Sequence, residues 1–373
     1  MNVVHINSVV LKGDAISGVM HASNALDRAS DGKSSRLIVD SFSELPNVLP
    51  LAYKDYEERQ NLLLRLKKFM KVGNKAHWLA LYLNALRQYR PQIARKAIEG
   101  ADVRVWHYGG FYSLFRQFHV RDILFYHGIT SPYMVENPET PYVSYRSLPT
   151  LRSLNPTIIV TSEFMKGDLI SQGFDPGAFR VLPLFHTRAT GANPRPTGKR
   201  GSSVLAYGRY AKNKAVPELA RLCSEAGLGL THFGDNSTLK EFRDEYRKAR
   251  KYESGTIRIL PKQPRIENFF NDAGIYACNS YHEGFNMPAV ESMARSLPVL
   301  LRRGTGMDEL ITDGKEGFFF DDVSEIPDLA DRIYGNYRSF SLNAWKRSRY
   351  YSMDNYKTRY LRILKEARGV KGS

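Results

Sequence analysis

The chain has 373 residues, 42% of them hydrophobic, and a formal net charge of +16. At about 150 residues per domain, this length predicts two domains with proper cores. Its two cysteines, Cys223 and Cys278, show no CxxC spacing, which excludes a disulfide scaffold and a cysteine zinc site and fits a reducing cytoplasm. The charge excess favours polyanions: nucleic acid, anionic lipid head groups or phosphorylated ligands. No run of about 20 apolar residues predicts a transmembrane helix. The start, MNVVHINSVVL, lacks a basic leader followed by a long apolar run, so no secretory signal is expected.

Short β-branched and apolar runs alternate with helical patterns. Residues 2–6, 35–40, 102–108, 122–127 and 157–162 read as buried strands, each followed by a polar or Gly-containing loop. Residues 14–29 place Ile16, Val19, Met20, Ala22 and Leu26 on a 3.6-residue stripe, the pattern of an amphipathic helix. Residues 62–98 mix Arg and Lys with Leu, Phe, Trp and Tyr. They fit a helix pair covering a sheet or a basic amphipathic surface on an anionic membrane. At 186–203, HTRATGANPRPTGKRGSS, apolar periodicity gives way to Pro, Gly, Thr and basic residues, as in a linker. The cycle then restarts with strands at 204–208, 230–234, 257–261, 275–279, 297–302 and 317–321, and a helical stretch follows at 345–368. The alternation predicts an α/β protein with two doubly wound domains and a ligand site in the cleft between them, at the C-terminal ends of the strands. The boundaries read as 1–188, a linker at 189–202, 203–350, and a C-terminal helix at 351–373 that is free to cross back to the first domain.

The most informative stretch is YHEGFNMPAVE, residues 281–291. Pro288 suits the first turn of a helix, where a missing N–H costs nothing. Glu283 then lies in the loop after strand 275–279, and Glu291 in the helix's opening turn. Free amides from about Phe285 to Ala289 offer an anion site, and Gly284 lets backbone approach a ligand. Carboxylates on either side of a phosphate site accept hydroxyls, which describes a nucleotide sugar. The plainer alternative makes Glu291 a helix-dipole partner and Glu283 a solvated loop residue.

This segment resembles the E-x7-E motif of retaining GT-B glycosyltransferases of the GT4 type. GTGMDELITDGKEGFFFDD (304–322) is similar to that family's continuation, YGRYAKNKAVPEL (207–219) to its GR-x4-K segment, and 161–184 to the end of its first domain. KGDAIS (12–17) and YHGITSP (126–132) look like loops of members that build bacterial surface polysaccharides, mannosyltransferases among them. The resemblance implies the GT-B fold, two Rossmann-like domains facing across a cleft. It implies that Arg209 and Lys214 neutralise the donor diphosphate. Glu291 binds ribose hydroxyls and Glu283 contacts the sugar near the reacting centre. The amides of Phe285, Asn286 and Met287 hold sugar and phosphate beside Gly284. Gly13 leaves room for phosphates, and His127 touches the donor sugar. His107 is a weaker acceptor-side candidate, and His282 packs. Three departures stand out: Asn286 where the family has a small residue, Arg295-Ser296 where it has Cys-Gly, and Ala215 where glycine follows the lysine.

The implied activity is retaining transfer of a sugar from a nucleotide-diphosphate donor, GDP-mannose ahead of UDP-sugars, to a glycan or lipid-linked acceptor in surface-polysaccharide synthesis. No cofactor and no metal are expected, since no metal-binding DxD is present and Asp321-Asp322 reads as a turn. Nor is nucleic acid an expected partner, because no recognisable module occurs. The expected location is the cytoplasm, with peripheral contact at the inner face of the plasma membrane. The competing reading is a catalytically inactive GT-B scaffold that binds an anionic glycolipid or nucleic acid. The intact Glu283, Glu291, Arg209 and Lys214 speak against it.

Overall fold

The computed structural model describes residues 3–7, 35–39, 48–50, 101–107, 122–126, 152, 156–186, 203–237, 240–263, 265–367 and 369. Backbone contacts divide the chain into two compact units. One comprises Met1–Thr161, Lys166–Leu182 and Lys357–Ser373, the other Ser162–Met165 and Pro183–Tyr356.

In the first unit, β1 (Val3–Asn7), β2 (Ser35–Val39), β3 (Val48–Pro50), β4 (Val103–His107), β5 (Asp122–Phe125), β6 (Thr157–Val160) and β7 (Phe179–Val181) form one parallel sheet in the order β3-β2-β1-β4-β5-β6-β7. Helix α1 (Glu163–Ser171) follows β6. The central strands are apolar on both faces, as parallel sheets require: Val103, Val105, Ile123, Phe125, Ile158 and Val160 are all buried. One ion pair interrupts this apolar interior. Arg104 on β4 lies in register with Asp122 on β5, and its guanidinium forks onto both carboxylate oxygens, with Nη2 to Oδ2 at 2.8 Å.

The second unit contains β8 (Ser203–Tyr207), α2 (Val216–Glu225), β9 (Gly229–Gly234), α3 (Lys240–Arg250), β10 (Ile257–Pro261), α4 (Glu267–Asp272), β11 (Ala273–Cys278), α5 (Met287–Ala294), β12 (Val299–Arg302), β13 (Gly317–Phe320), α6 (Ile326–Gly335) and α7 (Tyr337–Ser348). Its parallel sheet runs β10-β9-β8-β11-β12-β13. Helices α2, α3 and α6 seal one face through Leu219, Phe242, Ile326 and Ile333. Helices α5 and α7 seal the other through Val290, Met293 and Ala344. Helix α8 (Met353–Ala367) joins the first unit from Lys357 onward, where Arg180 on β7 pairs with Glu366 at 2.9 Å.

Every expected strand is present. Strands β3 and β7, three residues each, carry too little pattern to be read in sequence. The helical stretch expected at 345–368 is broken by a 3-10 turn at Arg349–Tyr351, where the Tyr351 ring leaves the helical path to bury itself against Phe285. Asp321-Asp322 is a turn, with Asp322 capping the 3-10 turn Val323–Glu325 in a reciprocal box with Glu325. The predicted helix 14–29, the basic segment 62–98 and the linker 189–202 lie outside the described residues.

Three backbone approaches among the described residues are so close that only glycine fits. One is on β13, where a Cβ at Gly317 would overlap the Val299 carbonyl. The other two lie behind the loops of the second sheet: a Cβ at Gly234 would overlap the Gly208 carbonyl, and a Cβ at Gly306 would overlap that of Gly284. Elsewhere glycine is missing where the backbone asks for it. Among the described residues, Ala215 and Ser296 are the two non-glycine residues with positive φ, at 47° and 64°. Ala215 separates the 3-10 turn Lys212–Lys214 from α2, and Ser296 lies just past the end of α5. Both are positions where the resembled family has glycine.

Three outcomes follow for stability. Asp122→Ala strands a buried guanidinium and lowers the unfolding free energy by about 3–5 kcal/mol in urea titrations. Ala215→Gly and Ser296→Gly each relieve a left-handed backbone strain of about 1–2 kcal/mol, partly offset by glycine's extra unfolded-state entropy, so each raises the unfolding free energy by about 0.5–1 kcal/mol in the same titrations. His232 on β9 is 3% exposed, packs its ring 4.6 Å from that of Tyr210, and has its pKa pushed from 6.5 to about 3, first by burial and then by the Lys214 charge. The unfolded chain therefore binds a proton that the folded chain refuses. Stability is full above pH 6.5 and falls toward pH 3 by about 1.4 kcal/mol per unit from this residue. Denaturation midpoints of His232→Leu decline less steeply between pH 6.5 and 4.5 than those of the parent, a range lying inside the window set by this shift.

Candidate functional site

β8 and β11 are hydrogen-bonded neighbours where the strand order reverses, so the loops leaving their C-terminal ends open side by side. One loop carries Arg209 and Lys214, the other Glu283. Asn213 sews the two together. Its carbonyl accepts the Tyr281 amide at 2.8 Å and the Ser280 hydroxyl at 3.1 Å, while its Nδ2 donates to the His282 carbonyl at 3.0 Å. The stitching brings the Lys214 ammonium directly onto Glu283 Oε1, in an ion pair largely shielded from solvent. Behind Glu283, its own carbonyl accepts the Gly306 amide at 2.8 Å.

A second brace holds the Glu283 loop from below. Glu218 on α2 accepts Asn279 Nδ2 and the Tyr281 hydroxyl, each at 2.9 Å. Arg302, at the end of β12, donates to Asn279 Oδ1 at 2.9 Å and stacks its guanidinium 4.2 Å over the Tyr281 ring. The motif's downstream acids also have structural partners. Glu309 accepts the amides of Glu163 and Phe164 at 3.0 and 2.9 Å, and Asp313 accepts that of Phe319 at 2.8 Å.

Asn286 is the N-cap of α5. Its Oδ1 accepts the Ala289 amide at 2.8 Å and the Tyr276 hydroxyl at 3.1 Å. Its Nδ2 donates to Cys278 Sγ at 3.0 Å and reaches Glu283 Oε1 at 3.4 Å. The side chain is therefore turned into the protein, where it caps the helix rather than lining a sugar pocket. Burial, then the Glu283 carboxylate, push the Cys278 thiol up to about 11, so it stays protonated. The amides of Phe285, Asn286 and Met287 precede the first intrahelical hydrogen bond of α5.

Glu291 is the fifth residue of α5, one residue past the opening turn expected from sequence, because the helix begins at Met287. It is 6% exposed, and its Oε2 accepts the Tyr207 hydroxyl at 2.8 Å. Arg209 stands apart from the pair. It is exposed, with its guanidinium 5.9 Å from the Phe242 ring centre on α3. The structure thus unites Lys214, Glu283, Gly284 and Asn286 at one point and ties Glu291 to Tyr207. Phe285 rests its ring on Tyr351 at 5.8 Å. Gly13 and His127 lie outside the described residues. Sequence reading gave no role to Tyr207 and Asn213, although both lie inside the quoted segment 207–219, Tyr207 next to Gly208-Arg209 and Asn213 next to Lys214.

The chemical capacity of this arrangement is clear. An ammonium and backbone amides at the start of a helix can take an anion, and fixed carboxylates can accept hydroxyls.

Residues 195–335 match the family described as Glycosyl transferases group 1. A GDP-mannose:cellobiosyl-diphosphopolyprenol alpha-mannosyltransferase of Komagataeibacter xylinus is 28% identical over 122 residues, 31% of this chain and 31% of the relative. This chain spans about a third or less of the length of the curated relatives it matches. Among solved structures, a sucrose-phosphate synthase from Thermosynechococcus elongatus superposes with a TM-score of 0.73 at 16% identity over 100% of both chains. HepE of Anabaena in complex with UDP-glucose superposes at 0.68 and 14% identity, over 98% of this chain and 100% of that one. The family match is thus confined to residues 195–335, while the two Rossmann-like parallel sheets match the fold of GT-B glycosyltransferase structures.

Proposed function

We propose that this protein is a retaining glycosyltransferase of the GT4 type that takes its sugar from a nucleoside-diphosphate donor, with GDP-mannose ahead of UDP-sugars, and passes it to a glycan or lipid-linked acceptor of a surface polysaccharide. The observation that carries the reading is the Lys214–Glu283 pair at the switch point of the second sheet, beside the backbone amides that lead into α5. A glycosyl donor must release a diphosphate that gains negative charge as the bond breaks. N–H donors and a cation aimed at that diphosphate stabilise the transition state more than the ground state.

The roles divide as follows. Lys214 has three N–H donors, one of them engaged with Glu283, which leaves capacity for diphosphate oxygens. Because Glu283 balances the Lys214 charge, net attraction for the anion comes from Arg209 and the amides of Phe285, Asn286 and Met287. Arg209 swings from its resting place over Phe242 to join them. Glu283 orients sugar hydroxyls next to the reacting carbon, and Gly284 lets the sugar approach backbone. Glu291 accepts the ribose hydroxyls. The acceptor hydroxyl attacks the face from which the diphosphate departs, and a leaving phosphate oxygen takes its proton, so the step needs neither a protein nucleophile nor a metal. Gly13 and His127 complete the proposed donor site.

The name of the Komagataeibacter relative supports the mannosyl donor and a polyprenol-linked acceptor, and the HepE complex supports the UDP-sugar alternative. A cytoplasmic enzyme touching the inner leaflet through residues 62–98 suits such an acceptor. No helix among the described residues is long and apolar enough to cross a membrane.

Thermal-shift screening with GDP-, UDP- and ADP-sugars is expected to show stabilisation by one nucleoside diphosphate series. Donor hydrolysis or transfer with that sugar falls by about 10²–10³ in kcat for Lys214→Ala and Glu283→Gln, the size of losing one transition-state donor or contact. Glu291→Ala acts mainly on donor KM. Wild-type protein that no nucleotide sugar stabilises would reject the proposal.

A further inference from the structure

Tyr207 ends β8 immediately before the Gly208-Arg209 turn, and its ring is held on three sides. It stacks on Phe233 with centres 5.2 Å apart and planes 12° from parallel, and meets Phe270 and Tyr276 edge-on at 5.7 Å each. These contacts hold the half-buried ring in one orientation against the core. Its hydroxyl is therefore delivered to one place, 2.8 Å from Glu291 Oε2 and 3.1 Å from the Pro288 carbonyl. A phenol has one proton. The carboxylate is nearer and charged, and takes it in the stronger, charge-assisted bond.

The consequence reaches Glu291. Its carboxylate is buried on the second turn of α5, where an unfixed side chain could rotate among several directions. A carboxylate offers about four acceptor positions. The Tyr207 proton occupies one and sets the directions in which the others point. We infer that Tyr207 is a positioning residue for donor recognition: through Glu291 it sets the selectivity of the site for a ribose with both hydroxyls. This rests on the proposed role of Glu291 as the ribose acceptor. Tyr207 itself touches neither sugar nor phosphate, so it governs donor affinity and leaves the bond-breaking step to Lys214 and Glu283.

The test uses the full chain and Tyr207→Phe, which keeps the ring and its stacking and removes one oxygen. Calorimetry measures the affinity of both proteins for the nucleoside diphosphate, among UDP, GDP and ADP, that binds the parent most tightly. The same proteins are titrated with its 2′,3′-dideoxy analogue and with inorganic pyrophosphate. The expected result is a loss of about tenfold on the ribonucleotide, the scale of one hydrogen bond to a charged group. Affinity for the dideoxy analogue and for pyrophosphate stays within twofold, so the ribo-to-deoxy preference collapses, and with a sugar donor KM rises while kcat holds. Retained pyrophosphate binding shows that the variant is folded. If the parent discriminates and Tyr207→Phe keeps the same ratio, or weakens all three ligands equally, this inference falls and the glycosyltransferase reading stands. If the parent binds no nucleoside diphosphate at all, the glycosyltransferase reading falls and takes this one with it.

Discussion

The ion pair between Lys214 and Glu283 joins loops 69 residues apart in sequence, and the organisation of the second unit can be read outward from it. Two opposite charges shielded from water are expensive to desolvate. They are tolerated where geometry is tight and further hydrogen bonds share the load. Both conditions hold: Asn213 binds the loops edge to edge, and Glu218, Asn279, Arg302 and Tyr281 brace the acidic loop from beneath. Underneath all of this is strand order. Only because β8 and β11 lie next to each other, with their connections wound to opposite sides, do the two loops meet at all.

Much of this was legible in the chain itself. Parallel strands buried on both faces read as plain apolar runs, so 275–279 and 317–321 announced themselves, as did the helix that Pro288 opens. The Glu-to-Glu spacing and the Gly-Arg and Lys positions marked the right loops. What escaped notice is of one kind. The Tyr207 hydroxyl, the Asn213 carbonyl and the Glu218 carboxylate act on residues at least 60 positions away. A tyrosine at the end of an apolar strand looks like core, and here its half-buried ring packs against the core while its tip is polar.

Asn286 and the Glu309–Asp313 segment show a second limit, one of meaning rather than detection. Their positions were found, but motif resemblance does not separate a residue that meets a ligand from one that holds backbone. Asn286 spends its amide on the helix cap, a thiol and the edge of Glu283. Glu309 spends its carboxylate on two backbone amides. Likewise, Ala215 and Ser296 looked like simple departures from a pattern until their positive φ values showed what glycine would be for there.

The contacts of Gly234 with Gly208 and of Gly306 with Gly284 place main chain directly against main chain behind both loops. No side chain acts as a spacer, so the loops inherit their height above the sheet from strand geometry and not from the identity of nearby residues. Variation in the outward-facing positions can then retune which molecule is admitted without disturbing where the charges stand. A single methyl at either glycine would shift an entire rim at once. Such a scaffold divides its tolerance to change sharply, permissive on the rim and unforgiving on the two small residues beneath it.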